Sequence, residues 1–478
     1  MNLPPKNPCC RVSHLRDLQL VLALMTVITV SCSFYFSLMQ SYEGVSDSLT
    51  PNDFFGFSQS RRKGSRQQNL ATYGGVRYHV VFSTGCSEQQ HWQSYVFFYH
   101  AYKVRQPGNI TRIVSGCEPS DENDLRKFHE SSIATMSDRF HIHFTPEYAK
   151  VATARPYKYY NKPCGLYHWM TNVLRMDRDP EVFDDDIIIL ADPDFILLRP
   201  ILHDTTDQSV IFVEENPLTR VVKHGMPMAQ QDGYLYNEWM GFNIPYITGG
   251  GNISHVSKDD GPLYYNAGPP YLATVGDMYR IVTLWKDYVP RIYEEYPATF
   301  AEMFGYVIAT TQLNLRHTLV KSFVVSTADV DPREIYANRE GWAMVDVLPD
   351  DQICIPPQVA SLPNALHYCQ RYLLGKWFFS KYRLKKKYLS CETALLTHPP
   401  LDSAARYNYW IRPPPDRGNY HAPSTRNITR KQARYNAFML CGLISKVNEA
   451  ARYFKIHHCN GTANMNETYN FHDDPYST

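Results

Sequence analysis

The sequence predicts an α/β fold, a mainly parallel sheet covered by helices, from the order and periodicity of its apolar segments. Tyr78 to Thr84 and Thr111 to Ser115 have the composition of strands, and His91 to Tyr102 between them carries aromatic residues at helical spacing. Ile187 to Leu190 is an aliphatic run, which is typical of a strand buried on both faces. This order of elements predicts parallel pairing through crossover helices.

The later elements follow from the same patterns. Helices are predicted around Gly165 to Met176 and over Asp277 to Tyr296, where apolar residues recur on one side. Phe212 to Leu263 is rich in Gly, Pro, Tyr and Met, and it is predicted to be an irregular lid or acceptor-facing loop. Lys431 to Tyr453 predicts an amphipathic helix near the carboxyl end.

An almost uninterrupted apolar stretch, Leu18 to Met39, lies near the amino terminus, and about 20 such residues cross the core of a bilayer. Lys6, Arg11 and Arg16 precede it and Glu43 follows it, so the positive-inside rule predicts a single-pass type II anchor with a cytosolic tail. A cleaved signal peptide is the alternative, but its apolar core is usually only about 7–15 residues long.

Cysteines and glycosylation triplets beyond this stretch favour the secretory pathway. The cysteines form an even set without a C-x-x-C motif, which suits disulfide bonds and argues against zinc. They are Cys86, Cys117, Cys164, Cys354, Cys369, Cys391, Cys441 and Cys459. Triplets for N-glycosylation begin at Asn109, Asn252, Asn427, Asn460 and Asn466. A net charge of +1 without a long basic tract argues against a nucleic-acid partner.

The Ile187 strand ends in two carboxylates, Asp192 and Asp194, separated by Pro193. Open α/β sheets bind ligands at the carboxyl ends of their strands, and side chains at i and i+2 of an extended segment share a face. Both carboxylates are therefore expected to bind one hard cation, which would neutralise a leaving diphosphate. A pair of aspartates in a solvated turn is the alternative interpretation.

Blocks in a fixed order give the chain a family resemblance. The blocks are Gln106 to Ser115 (Q-P-G-x-[IV]-T-R-[LI]), Tyr160 to Trp169 (N-[KR]-P…W), Leu190 to Asp194 (the acidic metal motif), Glu302 to Val307 (E-M-Y-[GA]-Y), and Leu366 to Tyr368 with Gly375 to Phe379 (L-H-Y…W-x-F). With these blocks the chain resembles the plant and algal peptidyl glycosyltransferases that include hydroxyproline O-arabinosyltransferases and peptidyl serine α-galactosyltransferases. The resemblance covers residues 77 to 385.

This resemblance implies a GT-A-like, Rossmann-type glycosyltransferase domain that uses a UDP-sugar and a divalent cation, commonly manganese. The acceptor it implies is hydroxyproline or serine of a secreted, Hyp/Ser-rich polypeptide, reached from the luminal side of a Golgi or ER membrane. Asp192-Pro193-Asp194 combines the proline of the arabinosyl branch's E-P-D with the first aspartate of the galactosyl branch's D-x-D. Arabinose and galactose therefore both stay open as the donor sugar.

The resemblance also assigns roles to individual residues. Asp192, Asp194 and His367 are the expected metal ligands, because carboxylates and imidazole both suit manganese. Lys162 is expected to bind a donor phosphate as a point charge, with an ordinary surface lysine as the alternative. Glu302, in a mostly apolar helical segment, is the expected catalytic carboxylate, with a salt bridge in the core as the alternative.

Trp377 is expected to bind substrate by stacking on the acceptor or the sugar, with a core tryptophan as the alternative. Asp184, Asp185 and Asp186 are predicted to form a solvated turn or a helix-end cluster outside the site. The predicted organisation is a cytosolic tail (1–17), a transmembrane signal anchor (18–39), a flexible stem (40–76), a glycosyltransferase catalytic domain (77–385) and a C-terminal extension without an assigned role (386–478).

Other functions are compatible with the same sequence. One is a catalytically silent, membrane-anchored lectin-like or assembly subunit that keeps the fold without turnover. The intact carboxylate pair and His367 argue against it. Another is a glycosyltransferase that acts on glycans or lipids rather than on peptides.

Overall fold

The structure is a computed structural model that describes residues 72–150, 155–233, 235, 237–328, 341–354, 362–384, 387–405, 410–411 and 426–470. The predicted membrane anchor, Leu18 to Met39, lies outside these residues. Within the described ranges, every helix is too short or too polar to cross a bilayer.

The strands and helices alternate through the first part of the chain. The strands are β1 (Thr72–Tyr73), β2 (Val76–Gly85), β3 (Asn109–Ser115), β4 (Phe140–Thr145), β5 (Ile187–Ala191), β6 (Phe195–Leu197), β7 (Met228–Gln231), β8 (Ala267–Thr274), β9 (Thr318–Val320), β10 (Val324–Val325), β11 (Ala365–His367), β12 (Arg371–Leu374), β13 (Trp377–Ser380), β14 (Leu395–Leu396), β15 (Trp410–Ile411), β16 (Arg426–Asn427) and β17 (Thr468–Tyr469). The α-helices are α1 (Glu88–Lys103), α2 (Pro119–Phe128), α3 (Asn161–Asn172), α4 (Ile244–Thr248), α5 (Val275–Glu295), α6 (Ala301–Gln312), α7 (Ala343–Asp346) and α8 (Arg430–His458).

An eight-stranded sheet in the order β4-β3-β2-β5-β8-β7-β9, with β1 on β2, forms the centre of the fold. The pairs β2–β3, β2–β5, β3–β4 and β7–β9 are parallel, whereas β8 runs antiparallel to β5 and to β7. β6 follows β5 through a tight turn and belongs to a smaller sheet with the order β10-β11-β6. The predicted α/β class is confirmed, and the sheet is mixed rather than fully parallel.

Predicted helices agree with the structure in position more closely than in length. The helix expected over Gly165 to Met176 is α3, which begins earlier because Pro163 is tolerated in a first helical turn. Thr274 caps α5 by accepting a hydrogen bond from the Asp277 backbone, so α5 starts before the predicted residue. The region Phe212 to Leu263 is not wholly irregular, since it contains β7 and α4.

Helices cover both faces of the central sheet. Val80 and Phe82 of β2 face one apolar cluster, which α1 and α8 complete, whereas Val81 faces a second cluster formed with α3, α5 and α6. All five residues of β5 are buried, which explains its aliphatic run.

The C-terminal helix α8 belongs to the same core, although the sequence suggests no role for it. Leu440 and Leu443 are fully buried in the cluster that also contains α1. Disulfide bonds join Cys354 to Cys441 and Cys391 to Cys459, and so attach α8 to preceding segments. A further disulfide joins Cys86 to Cys117, while Cys164 and Cys369 are free.

Candidate functional site

Three predicted metal ligands meet at the carboxyl end of β5. Asp192 and Asp194 lie in the turn between β5 and β6, and His367 ends β11, which pairs antiparallel with β6. His367 Nε2 lies 3.4 Å from an Asp194 oxygen and 3.8 Å from an Asp192 oxygen. One ligand atom from each residue lies within 4.8 Å of the others, so the cluster has the dimensions of a single cation site.

The route by which the carboxylates converge differs from the prediction. An extended segment was expected to place them on one face, but the chain turns at Pro193, and the Phe195 N–H donates to the Asp192 carbonyl over 3.3 Å. The Tyr368 N–H donates to the Asp194 carbonyl over 3.1 Å, which fixes the turn against β11. The assumption of an extended segment was wrong because proline favours a turn at this position.

Lys162 lies between the cluster of Asp192, Asp194 and His367 and the carboxyl of Glu302. Its ammonium lies 2.9 Å from an Asp192 oxygen and 3.3 Å from a Glu302 oxygen. Its side chain is only 11% exposed, so it is not the ordinary surface lysine of the alternative interpretation. Although burial opposes it, Asp192 and Glu302 hold the pKa of Lys162 above its usual value.

Glu302 lies in the first turn of α6 and is buried. Burial raises the pKa of Glu302 to about 7, assisted by Asp192 and opposed by Lys162. Its Oε1 makes the ion pair with Lys162 but has no hydrogen-bond partner of good geometry among the described residues. Its backbone is held firmly, because its N–H donates to the Tyr157 hydroxyl and its carbonyl accepts from Trp285 Nε1. The carboxyl is therefore a positioned group with unused acceptor capacity.

Lys381 is a site residue that the sequence did not reveal. It follows β13, and its ammonium lies 2.5 Å from an Asp194 oxygen. Its backbone carbonyl accepts a hydrogen bond from Gln89 Nε2, which fixes the segment on α1. Although burial opposes it, Lys381 and His367 hold the pKa of Asp194 well below its usual range. Each aspartate of the cluster thus has its own lysine.

Tyr271 adds a polar group that was also missed. It lies on β8 opposite Leu190 of β5, and its ring stacks on Tyr306 with centroids 3.8 Å apart. Its buried hydroxyl has no hydrogen-bond partner among the described residues. Burial, with the nearby charges of Glu302 and Asp192, raises the pKa of Tyr271 well above its usual value. This hydroxyl is a neutral donor next to the charged cluster.

Trp377 is linked to the site only through its strand. It begins β13, is partly exposed, and packs against the first apolar cluster, whereas Lys381 lies beyond the other end of the strand. Stacking of Trp377 on a substrate stays a prediction.

A second acidic group lies at the opposite end of β5. Asp184 and Asp185 form ion pairs with His224 over 3.2 and 3.0 Å, and the Asp185 side chain is 94% exposed. The turn was predicted to be solvated throughout, but Asp186 is buried and pairs with Arg77 and His79. The prediction was wrong for Asp186 because its carboxylate accepts a hydrogen bond from Arg77 and shares one with the His79 ring, which satisfies it inside the fold.

A buried cluster of carboxylates, imidazole and lysines at the carboxyl ends of the strands of an α/β sheet has the chemistry to hold a hard cation together with an anionic ligand. Residues 78–227 match the model of the hydroxyproline O-arabinosyltransferase family N-terminal domain. The chain is also 23% identical over 323 residues to peptidyl serine alpha-galactosyltransferase of Arabidopsis thaliana, covering 64% of this chain and 31% of that protein. Both matches support the family resemblance that the sequence predicts, and both indicate a glycosyltransferase.

Solved structures show more distant likeness. The galactosyltransferase LgtC in complex with donor and acceptor sugar analogues is 11% identical, with 61% of this chain and 87% of that chain covered and a TM-score of 0.30. The bifunctional glycosyltransferase WbbM is 10% identical, with 66% and 48% covered and a TM-score of 0.37. The description of the fold rests on the sheet itself and not on this likeness.

Proposed function

We propose that this chain is a metal-dependent peptidyl O-glycosyltransferase of GT-A-like fold that moves arabinose or galactose from a UDP-sugar to hydroxyproline or serine of secreted polypeptides. The observation that carries the proposal is the convergence of Asp192, Asp194 and His367 beside the Lys162–Glu302 pair. A peptide acceptor is supported by the names of the matched family and of the matched relative, of which this chain spans about a third.

The donor set fits a divalent cation such as manganese. Two carboxylates and one imidazole nitrogen converge within 4.8 Å, and oxygen with imidazole ligands suits Mn²⁺. A bound cation would supply charge neutralisation for the diphosphate that leaves with the nucleotide. Asp192, Asp194 and His367 would hold it, and the Phe195–His367 strand pairing keeps these side chains in register.

The two lysines are suited to the diphosphate of the donor. Lys162 and Lys381 are both charged, largely buried, and directed at the aspartates from separate segments of the chain. An ammonium group binds phosphate oxygens as a point charge. If the aspartates held a cation, the lysines would remain beside them and could bind the diphosphate.

Glu302 is the residue best placed to act on the acceptor. Its pKa of about 7 lets it accept a proton near neutral pH, and its Oε1 has spare acceptor capacity. The backbone contacts to Tyr157 and Trp285 keep it oriented. We assign it the role of orienting the attacking hydroxyl and taking its proton.

The test is a transfer assay on the purified luminal chain with a panel of UDP-sugars and hydroxyproline- or serine-rich peptides, with manganese or with chelator. We expect transfer that requires the metal and that, per folded molecule, is lost in Asp192→Ala and in Asp194→Ala. Asp185→Ala is the matched control, because its side chain is exposed in the other acidic group. Undiminished transfer in chelator would overturn the proposal.

A catalytically silent, lectin-like or assembly subunit is the second candidate, favoured by one observation. Lys162 and Lys381 already neutralise the aspartates, so the cluster is stable without a cation. Slow hydrolysis of the donor with manganese, but not with chelator, would separate an enzyme from such a subunit.

The proposal includes a type II position in a Golgi or ER membrane, with Leu18 to Met39 as the anchor. Protease added to sealed microsomes is then expected to spare nearly all of the chain. Digestion of the body from the cytosolic side would reverse this topology.

A further inference from the structure

A groove opens beside the candidate catalytic site, where α3 and α6 begin. It has a volume of about 490 Å³ and includes Glu147, Tyr157, Tyr159, Tyr293 and Thr299 among its lining residues. Lys162 and Glu302 are each the second residue of the helix that starts there. The groove therefore lies next to the N-termini of the two helices that contain Lys162 and Glu302.

Three tyrosine rings line this groove. Tyr157 and Tyr293 stack with centroids 4.2 Å apart and planes inclined by 21°, and Tyr159 lies 5.6 Å from Tyr157. Tyr159 and Tyr293 are partly exposed, whereas Tyr157 is buried behind them. Tyr157 contacts both of the other rings from the buried side. Tyr159 and Tyr293 therefore form an accessible aromatic surface that Tyr157 supports.

Tyr157 connects this surface to Glu302 directly. Its hydroxyl accepts a hydrogen bond from the Glu302 N–H over 2.9 Å and donates to the Thr299 carbonyl over 2.7 Å. A chain lying on the rings is thus separated from the Glu302 backbone by one side chain. Tyr157 therefore joins the exposed aromatic surface to the candidate site by hydrogen bonds.

Polar groups at the rim complement an extended backbone. The exposed Lys150 and Lys158 can donate hydrogen bonds, and the Lys158 ammonium lies 4.8 Å from the centre of the Tyr159 ring. A polyproline II segment has no internal hydrogen bonds, so its carbonyls are free to accept them. Proline rings pack on aromatic side chains in known recognition grooves for such segments.

We infer that this groove binds the acceptor polypeptide as an extended proline- or hydroxyproline-containing segment and so delivers its hydroxyl groups toward Glu302. The inference rests on the proposed function, and it specifies where the acceptor lies and by which chemistry it is selected. A glycan acceptor, whose sugar faces also stack on tyrosine, is the competing occupant.

The test uses the luminal chain loaded with UDP and manganese, and a fluorescein-labelled peptide of alternating serine and hydroxyproline followed by fluorescence anisotropy. We expect Tyr159→Ala and Tyr293→Ala each to raise the Kd for the peptide by about 3- to 10-fold, the range for loss of an aromatic contact. Tyr159→Phe and Tyr293→Phe retain the ring and should bind like the unsubstituted chain. Tyr73→Ala is the matched control, since Tyr73 is 47% exposed on β1.

The results of this test distinguish failure of the groove inference from failure of the proposed function. An unchanged Kd for the peptide in Tyr159→Ala and Tyr293→Ala, with unchanged melting temperatures, overturns the groove inference alone. Displacement of the peptide by an oligosaccharide at lower concentration than by unlabelled peptide also overturns it, in favour of a glycan. Tyr159→Ala keeps the test valid if loss of the Tyr157–Tyr293 stack unfolds the other variant. Failure of the unsubstituted chain to bind UDP with manganese would instead overturn the proposed function.

Discussion

At the scale of single residues, the charge of each aspartate in the candidate metal site is matched by a lysine. Lys381 pairs with Asp194 and Lys162 with Asp192, and neither lysine is exposed by more than 15%. A cation that binds these aspartates must compete with an ammonium group that already lies beside each of them. The lysines should therefore weaken metal binding on its own and strengthen binding of the nucleotide.

Lys381→Met tests this competition because it should move two affinities in opposite directions. The affinity for manganese alone is expected to rise several-fold, while the affinity for UDP in the presence of manganese is expected to fall by about 10-fold, as for loss of a charged phosphate contact. Titration calorimetry measures both. Lys387→Met, whose side chain is 82% exposed, is the control. A loss of both affinities would show that Lys381 only maintains the structure.

Glu302→Gln distinguishes the catalytic role of this residue from a structural one. The substitution keeps the volume but cannot accept the acceptor's proton, so turnover is expected to fall by about 100-fold or more, with little change in melting temperature. Turnover per folded molecule and thermal unfolding are measured on the same preparation. Intact turnover in a protein destabilised by about 3–5 kcal/mol would identify a core ion pair instead.

The raised pKa of Glu302 also predicts how stability depends on pH. A carboxyl with a pKa of about 7 when folded and about 4.3 when unfolded binds its proton more tightly in the folded state. The stabilisation that this bound proton gives the folded state is fully present below about pH 4 and is lost as the pH rises to 7 and above. Urea unfolding across this range should show a decline in stability that is smaller in Glu302→Gln. An identical decline in both proteins would remove Glu302 as its source.

At the scale of elements, the position of Glu302 depends on close packing between α5 and α6. Gly305 of α6 allows this approach, because an added Cβ would lie 2.7 Å from Val289 and 2.9 Å from Trp285. Trp285 also donates its indole N–H to the Glu302 carbonyl. Any increase in the spacing of these helices therefore displaces the Glu302 carboxyl.

Gly305→Ala should destabilise the protein by about 1–3 kcal/mol, because neighbouring side chains must shift to accept the methyl group. Chemical denaturation followed by tryptophan fluorescence measures this change. Gly241→Ala is the matched control, since an added Cβ at Gly241 meets nothing within 4 Å. Equal stability of both variants would contradict the packing argument.

Local periodicity was enough to predict β2, β3, β5 and the helices α1, α3, α5 and α8. Apolar residues in these segments recur with the period of a strand or a helix, which needs no knowledge of distant contacts. The sequence also places Asp192 and Asp194 at a strand end. His367 was reached only through the family resemblance, because its place depends on the pairing of β11 with β6, which no local signal encodes.

Lys381 and Tyr271 could not have been predicted for the same reason. Lys381 approaches Asp194 across the chain from a segment 187 residues away, and Tyr271 meets the site through the pairing of β8 with β5. Lysine and tyrosine are common on surfaces and in cores, so neither residue has a distinctive sequence pattern. The reversed direction of β8 was missed because strand order along the chain does not fix pairing direction.

At the scale of the whole molecule, α8 fills the same apolar cluster as α1, so residues 386–478 are expected to be needed for folding. A chain that ends at residue 385 would expose the face of α1 that α8 covers, including Tyr95 and Tyr99, whose rings lie against Phe454 and Tyr453. We expect it to aggregate or to lack a cooperative thermal transition, whereas the chain of residues 72–478 should unfold cooperatively. A soluble, cooperatively folded product ending at 385 would make the C-terminal segment a separate appendage.

Because β6 must pair with β11, the candidate site can form only after both strands have been synthesised. Asp194 emerges from the ribosome long before His367, and Lys381 follows later still. A partly synthesised chain therefore carries two aspartates without the histidine and without one of their counter-charges. The proposed donor site is complete only near the end of translation, so a truncated translation product is expected to be inert toward donor and acceptor alike.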